Sequence, residues 1–154
     1  KNIRSHTEVF VHRDFHSRNL MFCNGEQGEN PGILDFQDAV KGSIVYDLVS
    51  LFKDAYITWE EEQVIDWLIR YWELAKKNGF KVQEDFAEFY RDFEWMGVQR
   101  HLKVLGIFAR LNYRDHKTNY LNDLPAVENY LRRACERYRE LHPLLKMINK
   151  LSLI

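Results

Sequence analysis

His12-Arg13-Asp14-Phe15-His16-Ser17-Arg18-Asn19 sets one carboxylate five residues ahead of one carboxamide, in a polar loop between apolar runs. The run fits the catalytic-loop spacing H-R-D-x-x-x-x-N, which arranges a base and an amide oxygen around a metal-bound nucleotide. Asp14 suits the base, because a carboxylate can accept the proton of an attacking hydroxyl and orient its oxygen. Asn19 suits a metal ligand, since its neutral oxygen is the hard donor that Mg²⁺ prefers. Sixteen residues beyond Asn19, the run Gly32-Ile33-Leu34 ends in Asp35. A carboxylate at a strand end is held rigidly yet emerges from the sheet, as a second metal ligand must.

Working outward, Val9-Phe10-Val11, Leu20-Met21-Phe22 and Gly32-Ile33-Leu34 read as short strands, with Asn24-Gly25 through Pro31 as a turn. That turn lets the Asn19 and Asp35 strands pair as a hairpin, which brings both oxygens to one mouth. From about Ser43 the pattern becomes helical. Ser43 is expected to cap a helix through Tyr46, Leu48, Val49 and Phe52. A second helix is expected after Thr58, whose hydroxyl precedes Glu60-Glu61-Glu62, and it should end near Asn78-Gly79. Val64, Ile65, Leu68, Tyr71, Trp72 and Ala75 recur along it at helical spacing. A long helical pattern follows from about Gln83 to Arg114, then one near Pro125 and one after Pro143. The expected architecture is α+β, a β-hairpin platform carrying the loop and then a mainly helical bundle.

Composition sets the class. With 154 residues, 45% hydrophobic and 14% aromatic, the chain can bury a core and is not generally disordered. Its 22 basic and 23 acidic residues leave a net charge of -1, so nothing global attracts nucleic acid. No apolar run approaches a membrane span, and Cys23 and Cys135 match no metal or disulfide framework. A reduced, cytoplasmic protein without nucleic-acid or membrane partners is expected.

The loop resembles that of the protein-kinase-like superfamily and, more narrowly, of the aminoglycoside phosphotransferase family. That family joins H-x-D-x-x-x-x-N to a strand-terminal Asp, then a Gly and a D-L pair, matched by His12, Asp14, Asn19, Asp35, Gly42, Asp47 and Leu48. Leu34-Asp35-Phe36-Gln37-Asp38-Ala39 and Gln99-Arg100-His101-Leu102-Lys103-Val104-Leu105-Gly106 are similar to one amino-sugar branch. The resemblance implies ATP- and Mg²⁺-dependent transfer to a sugar hydroxyl, the anomeric one of N-acetylmuramate or N-acetylglucosamine. Asp14 would then be the base, and Asn19 and Asp35 would hold metal and nucleotide. It also implies a protein-kinase-like C-terminal lobe spanning 1–154. The Gly-rich loop and the Lys–Glu pair that the family keeps in its N-terminal lobe are not found here, and the first residue is Lys1. The chain is thus expected to be a fragment of a two-lobe enzyme and inactive alone. Two departures stand out. Ser43-Ile44 replaces a common Asp-Pro, and Phe36-Gln37 replaces the Phe-Gly of a protein-kinase activation switch.

Around this centre, His12 is expected to hold the loop by hydrogen bonds and Asp47 to tie it in place. His16 and Arg18 could reach substrate or phosphate, although exposed loop positions explain them equally well, and Asp38 could contact substrate or metal, although a turn-forming Asp is the preferred reading. On the long helix, Arg100, Lys103, Arg110 and Arg114 fall on one stripe at about 100° per residue, with Val98, Leu102, Leu105 and Ala109 opposite as the core face. Arg100 and Lys103 could grip the carboxylate of an acidic sugar, although such a stripe is more often solvated. An aminoglycoside kinase is the nearest alternative. A metal-dependent hydrolase on His12, Asp14, His16, Asp35 and Asp38, or a non-catalytic kinase-like scaffold, would be a different class.

Overall fold

The computed structural model describes residues 7–23, 30–116 and 122–151 of the chain. Its order is strands first and helices after, the expected α+β arrangement. The strands are β1 (Glu8–Val11), β2 (Leu20–Met21), β3 (Gly32–Ile33) and β4 (Val40–Ser43). The helices are α1 (Tyr46–Phe52), α2 (Glu61–Lys77), α3 (Phe86–Tyr113), α4 (Leu124–Arg137) and α5 (His142–Leu151). The chain divides into two compact units, one through Phe93 and one from Glu94, so the division falls within α3.

In the first unit, β2 and β3 form the expected antiparallel hairpin, with Leu20 opposite Ile33 and Met21 opposite Gly32. The Asn30 carboxamide closes it, accepting the Cys23 N–H at 3.0 Å and donating to the Cys23 carbonyl at 3.3 Å. The turn expected from Asn24 lies, through residue 29, outside the described residues. β4 was not expected from the sequence. It pairs antiparallel with β1, from Glu8 opposite Ser43 to Val11 opposite Val40. At Gly42 a Cβ would lie 3.2 Å from Val11 Cγ2, so glycine lets these two strands approach closely.

The pairing corrects the role given to Ser43, which ends β4 instead of capping α1. Its hydroxyl accepts the Val45 N–H at 3.4 Å, and α1 starts from Val45 without a side-chain cap. Thr58 likewise caps nothing, since α2 starts from Glu60, also without a side-chain cap. Glu61 and Glu62 in the first turn and Lys76 and Lys77 in the last suit the helix dipole. Gly79, at φ +78°, ends α2 in a Schellman turn, with Gly79 N–H to Lys76 O and Phe80 N–H to Ala75 O, both 3.0 Å. Val64, Leu68 and Ala75 bury one face of α2. Phe52 stacks on Trp67, and Tyr71 on Phe89. Asp85 caps α3 by accepting the Ala87 N–H at 2.9 Å.

The second unit corrects the faces expected of α3. Val98 is buried and Leu105 packs on Leu131, Ala134, Cys135 and Ile148, as expected. Leu102, however, is 42% exposed and Ala109 is exposed, while Arg100 is only 8% exposed. Met96, Val98, Arg100 and His101 are all buried, an arc wider than one apolar stripe. The His101 ring stacks on Tyr130 of α4 at 5.3 Å. A long aliphatic stem lets Arg100 join such an arc. Lys103 is half-buried, Arg110 is exposed, and Arg114 pairs with Asp115 at 2.7 Å. The four cations therefore share no solvated stripe. Among the described residues, no helix is long and apolar enough to cross a membrane.

Leu131 is fully buried among these side chains. Leu131→Ala should destabilise the protein by about 2–5 kcal/mol through transfer and cavity terms. Leu102→Ala should change stability by less than about 0.5 kcal/mol. Urea unfolding of both variants checks the assignment, and the reverse ranking would refute it.

Candidate active site

β1 leads into the loop through Val11 and His12, both buried. Two N–H groups at this point would be left without ladder partners, and Asp47 in the first turn of α1 takes both. Its Oδ2 accepts the His12 N–H at 2.6 Å and its Oδ1 the Arg13 N–H at 3.0 Å. The same carboxylate contributes, after burial, to pushing the pKa of the nearby Tyr71 hydroxyl up. Arg13 sits at φ +76°, the left-handed region that a non-glycine residue enters at a cost of about 1–3 kcal/mol. Bonds to a charged acceptor contribute about 1.5–3 kcal/mol each, so the pair is sufficient to hold that backbone.

The His12 ring reaches across to the residue that follows β3. Its Nε2 lies 2.8 Å from the Leu34 carbonyl oxygen, which can only accept, so Nε2 carries the proton. Nδ1 is buried without a hydrogen-bond partner among the described residues. His12 thus bridges the loop and the end of the hairpin.

Asp14 and Asn19 are joined locally. The Asp14 carbonyl accepts the His16 N–H at 3.0 Å and the Asn19 Nδ2–H at 2.9 Å. Because the Asn19 nitrogen is committed there, its Oδ1 is the atom left to offer a ligand. A short 3-10 turn, Ser17–Asn19, then delivers the chain to β2. The Leu34 N–H donates to the Asn19 carbonyl at 2.9 Å, so the hairpin sets Asn19 against the residue that precedes Asp35. Asp35 is exposed at φ +65°, a conformation that Asp tolerates better than most residues, and its Oδ1 accepts from Gln37 Nε2 at 2.6 Å.

Asp38 lies in the turn closed by Ala39 N–H to Phe36 O at 3.1 Å. Its backbone carbonyl, accepting from Arg13 at 3.3 Å, supports the loop. Arg100 and Lys103 belong to the second unit, the first buried and the second half-buried.

Two residues near the loop escaped the sequence reading. Asp54, 4% exposed, accepts Ser17 N–H at 3.0 Å and Ser17 Oγ–H at 2.5 Å on Oδ2, and the Tyr56 N–H at 3.1 Å on Oδ1. Tyr56 meets the His16 ring edge-on at 5.5 Å and carries the Arg18 guanidinium 3.4 Å above its centroid. A lone Asp after an apolar helix, with its partner 37 residues away, leaves no local signal of this role.

The side-chain oxygens of Asn19 and Asp35 are hard donors of the kind that suits Mg²⁺ better than zinc. Among the described residues, no three His, Cys, Asp or Glu side chains gather as a metal-binding group, so the His12, Asp14, His16, Asp35 and Asp38 set expected of a hydrolase does not assemble.

A 144-residue alignment to the N-acetylmuramate/N-acetylglucosamine kinase of Neisseria meningitidis serogroup B is 60% identical and covers 94% of this chain and 42% of that protein. The Pseudomonas putida protein of the same name is 46% identical over 94% of this chain and 42% of its own length. The Caulobacter vibrioides one is 37% identical over 80% of this chain and 32% of its own length. The chain therefore spans about two fifths of the length of the curated relatives it matches most fully. The model of the phosphotransferase enzyme family matches residues 1–86, which include the whole loop, the hairpin and Asp47, and the chain belongs to that family.

Proposed function

We propose that the chain is the protein-kinase-like, catalytic-loop lobe of a longer ATP- and Mg²⁺-dependent kinase whose acceptor is an amino sugar. The acceptors we propose are N-acetylmuramate and N-acetylglucosamine, the sugars in the names of the relatives, and the position is the anomeric hydroxyl. One observation carries the reading. A single loop holds a carboxylate at Asp14 and a carboxamide at Asn19, the carboxamide nitrogen is tied back to the Asp14 carbonyl, and the Asn19 backbone is laddered to Leu34 beside Asp35.

In this mechanism Asp14 accepts the proton of the sugar hydroxyl as that oxygen bonds to the γ-phosphorus and ADP leaves with the bridging oxygen. Asn19 Oδ1 and the Asp35 carboxylate would hold Mg²⁺, which when bound supplies charge neutralisation at the phosphate oxygens. His12 and Asp47 keep the loop at fixed depth and orientation, so that little is lost in ordering it at the moment of reaction. His16, Arg18 and Asp38 stand at or beside the loop, where substrate would arrive.

The apolar side chains of Met21, Ile33, Leu34 and Phe36 are exposed on and beside the hairpin. A surface of this kind supports a covering lobe or a bound nucleotide base over the site. The free thiols Cys23 and Cys135 suit a cytoplasmic setting, where ATP is also available.

In the full-length protein, ATP should be consumed with N-acetylmuramate or N-acetylglucosamine and not with an aminoglycoside. Asp14→Asn should lower kcat by about 10²–10⁴-fold with unfolding unchanged. Turnover at the wild-type rate in that variant would remove Asp14 from the chemistry. Asp35→Asn should raise the Mg²⁺ concentration needed for half-maximal rate about tenfold or more, as one carboxylate ligand becomes neutral. An unchanged Mg²⁺ titration would take Asp35 out of the metal site. Asp47→Ala should cost stability by about 2–4 kcal/mol, since two N–H donors lose a charged acceptor. A melting curve like that of the wild type would show the tie to be dispensable.

A further inference from the structure

Arg18 differs from an ordinary surface arginine in two ways. Its guanidinium is parked 3.4 Å over the Tyr56 ring, and among the described residues that stack is its sole recorded interaction, with neither hydrogen bond nor ion pair. Stacking on a ring face engages the plane of the guanidinium and leaves its N–H edge open. An open edge on an immobilised plane is a fork that matches two oxygens of a carboxylate or phosphate.

The immobilisation runs deep. Arg18 lies within the 3-10 turn Ser17–Asn19, and Ser17 is fixed to Asp54 by two hydrogen bonds. The other oxygen of Asp54 fixes the backbone of Tyr56. One buried carboxylate thus anchors both members of the stack, which removes much of the side-chain entropy that an unanchored arginine loses on binding an anion.

We propose that Arg18 is the carboxylate-recognising residue for an acidic sugar acceptor, with Tyr56 as the residue that positions it. This deepens the kinase reading and rests on it for the identity of the site. The acceptor is preferred over the nucleotide because Asn19, although next to Arg18 in the same turn, is tied by its carbonyl to Leu34 beside Asp35, whereas the Arg18 side chain is braced by Tyr56 from the α1–α2 connection. The preference also suits the sugars themselves. N-acetylmuramate is N-acetylglucosamine with a lactyl carboxylate added as an ether, so a single cation on the site distinguishes the two without obstructing the neutral one.

The test uses the full-length protein with the variants Arg18→Gln, Tyr56→Leu and Tyr56→Phe. The quantity read is the ratio of kcat/KM for N-acetylmuramate to that for N-acetylglucosamine. Arg18→Gln should lower this ratio about 10–100-fold, mostly through KM, as expected for loss of a charge-assisted pair. Tyr56→Leu should lower it by a smaller factor, and Tyr56→Phe, which keeps the ring, should restore it. An unchanged ratio overturns the proposal. So does a rise in the KM for ATP that is equal with both sugars, which would assign Arg18 to phosphate.

Calorimetric titration of each sugar without ATP separates this outcome from failure of the kinase reading. Arg18-dependent binding of N-acetylmuramate in a protein that phosphorylates neither sugar would keep the recognition site and discard the kinase. Binding of neither sugar, or equal binding of N-acetylmuramate by Arg18→Gln, would discard the recognition site.

Discussion

The Asp47 carboxylate, accepting the backbone N–H groups of His12 and Arg13, is the contact on which the rest of the site depends. A loop leaving a strand has donors with no ladder partner, and burying them unpaired costs about 1–3 kcal/mol each. Asp47 removes that cost and fixes a left-handed residue at Arg13. It also makes the loop conformation conditional on α1, because its carboxylate is delivered by the first helical turn. The β1–β4 pair completes the link, since β4 ends at Ser43, three residues before α1. Strand, loop and helix are therefore one mechanical unit, and the hairpin joins it through His12 and Leu34.

How much of this was legible in the sequence follows the range of the interactions involved. The hairpin strands could be read from short apolar runs and their turn residues, and the end of α2 from Asn78-Gly79, because these signals are local. β4 could not be read that way. Val40-Lys41-Gly42-Ser43 has one β-branched residue and one glycine, and it becomes a strand only by pairing with β1, some thirty positions earlier. The helix starts failed for a related reason. Ser43 and Thr58 carry the right hydroxyls for caps, but tertiary pairing claims Ser43, and the α2 backbone turns helical only after Glu60.

Arg100 shows the limit of reading a helix by charge alone. A stripe of cations is assigned to solvent when each residue is weighed by its head group. In α3 the buried arc is wide enough to include Arg100, whose stem can pack while its head finds partners. Leu102 is displaced toward solvent by the same arc. The order Asp14, Asn19, Asp35 was legible in a different way, because it follows a chemical pattern and not a packing one. Asp54 and Tyr56 fared worst, being linked to the loop only through space.

Four aspartates in and around the loop, Asp14, Asp35, Asp47 and Asp54, divide by how fully their oxygens are already used. Both oxygens of Asp47 accept loop N–H groups, and both oxygens of Asp54 accept donors from Ser17 and Tyr56. A carboxylate saturated in this way has little to offer a metal or a substrate proton, and its charge is spent on holding backbone. Asp35 has one recorded donor, Gln37, and is exposed, while Asp14 uses its backbone carbonyl and not its carboxylate to bind Asn19. Of these four, the carboxylates left with capacity are those of Asp14 and Asp35, the two we propose for the chemistry. The same sorting applies to cations. Arg13 donates to the Asp38 carbonyl, whereas Arg18 keeps its N–H edge open over Tyr56. Residual hydrogen-bonding capacity separates the residues we propose to act from those that support them, and it is what makes Arg18 a candidate for recognising an incoming anion.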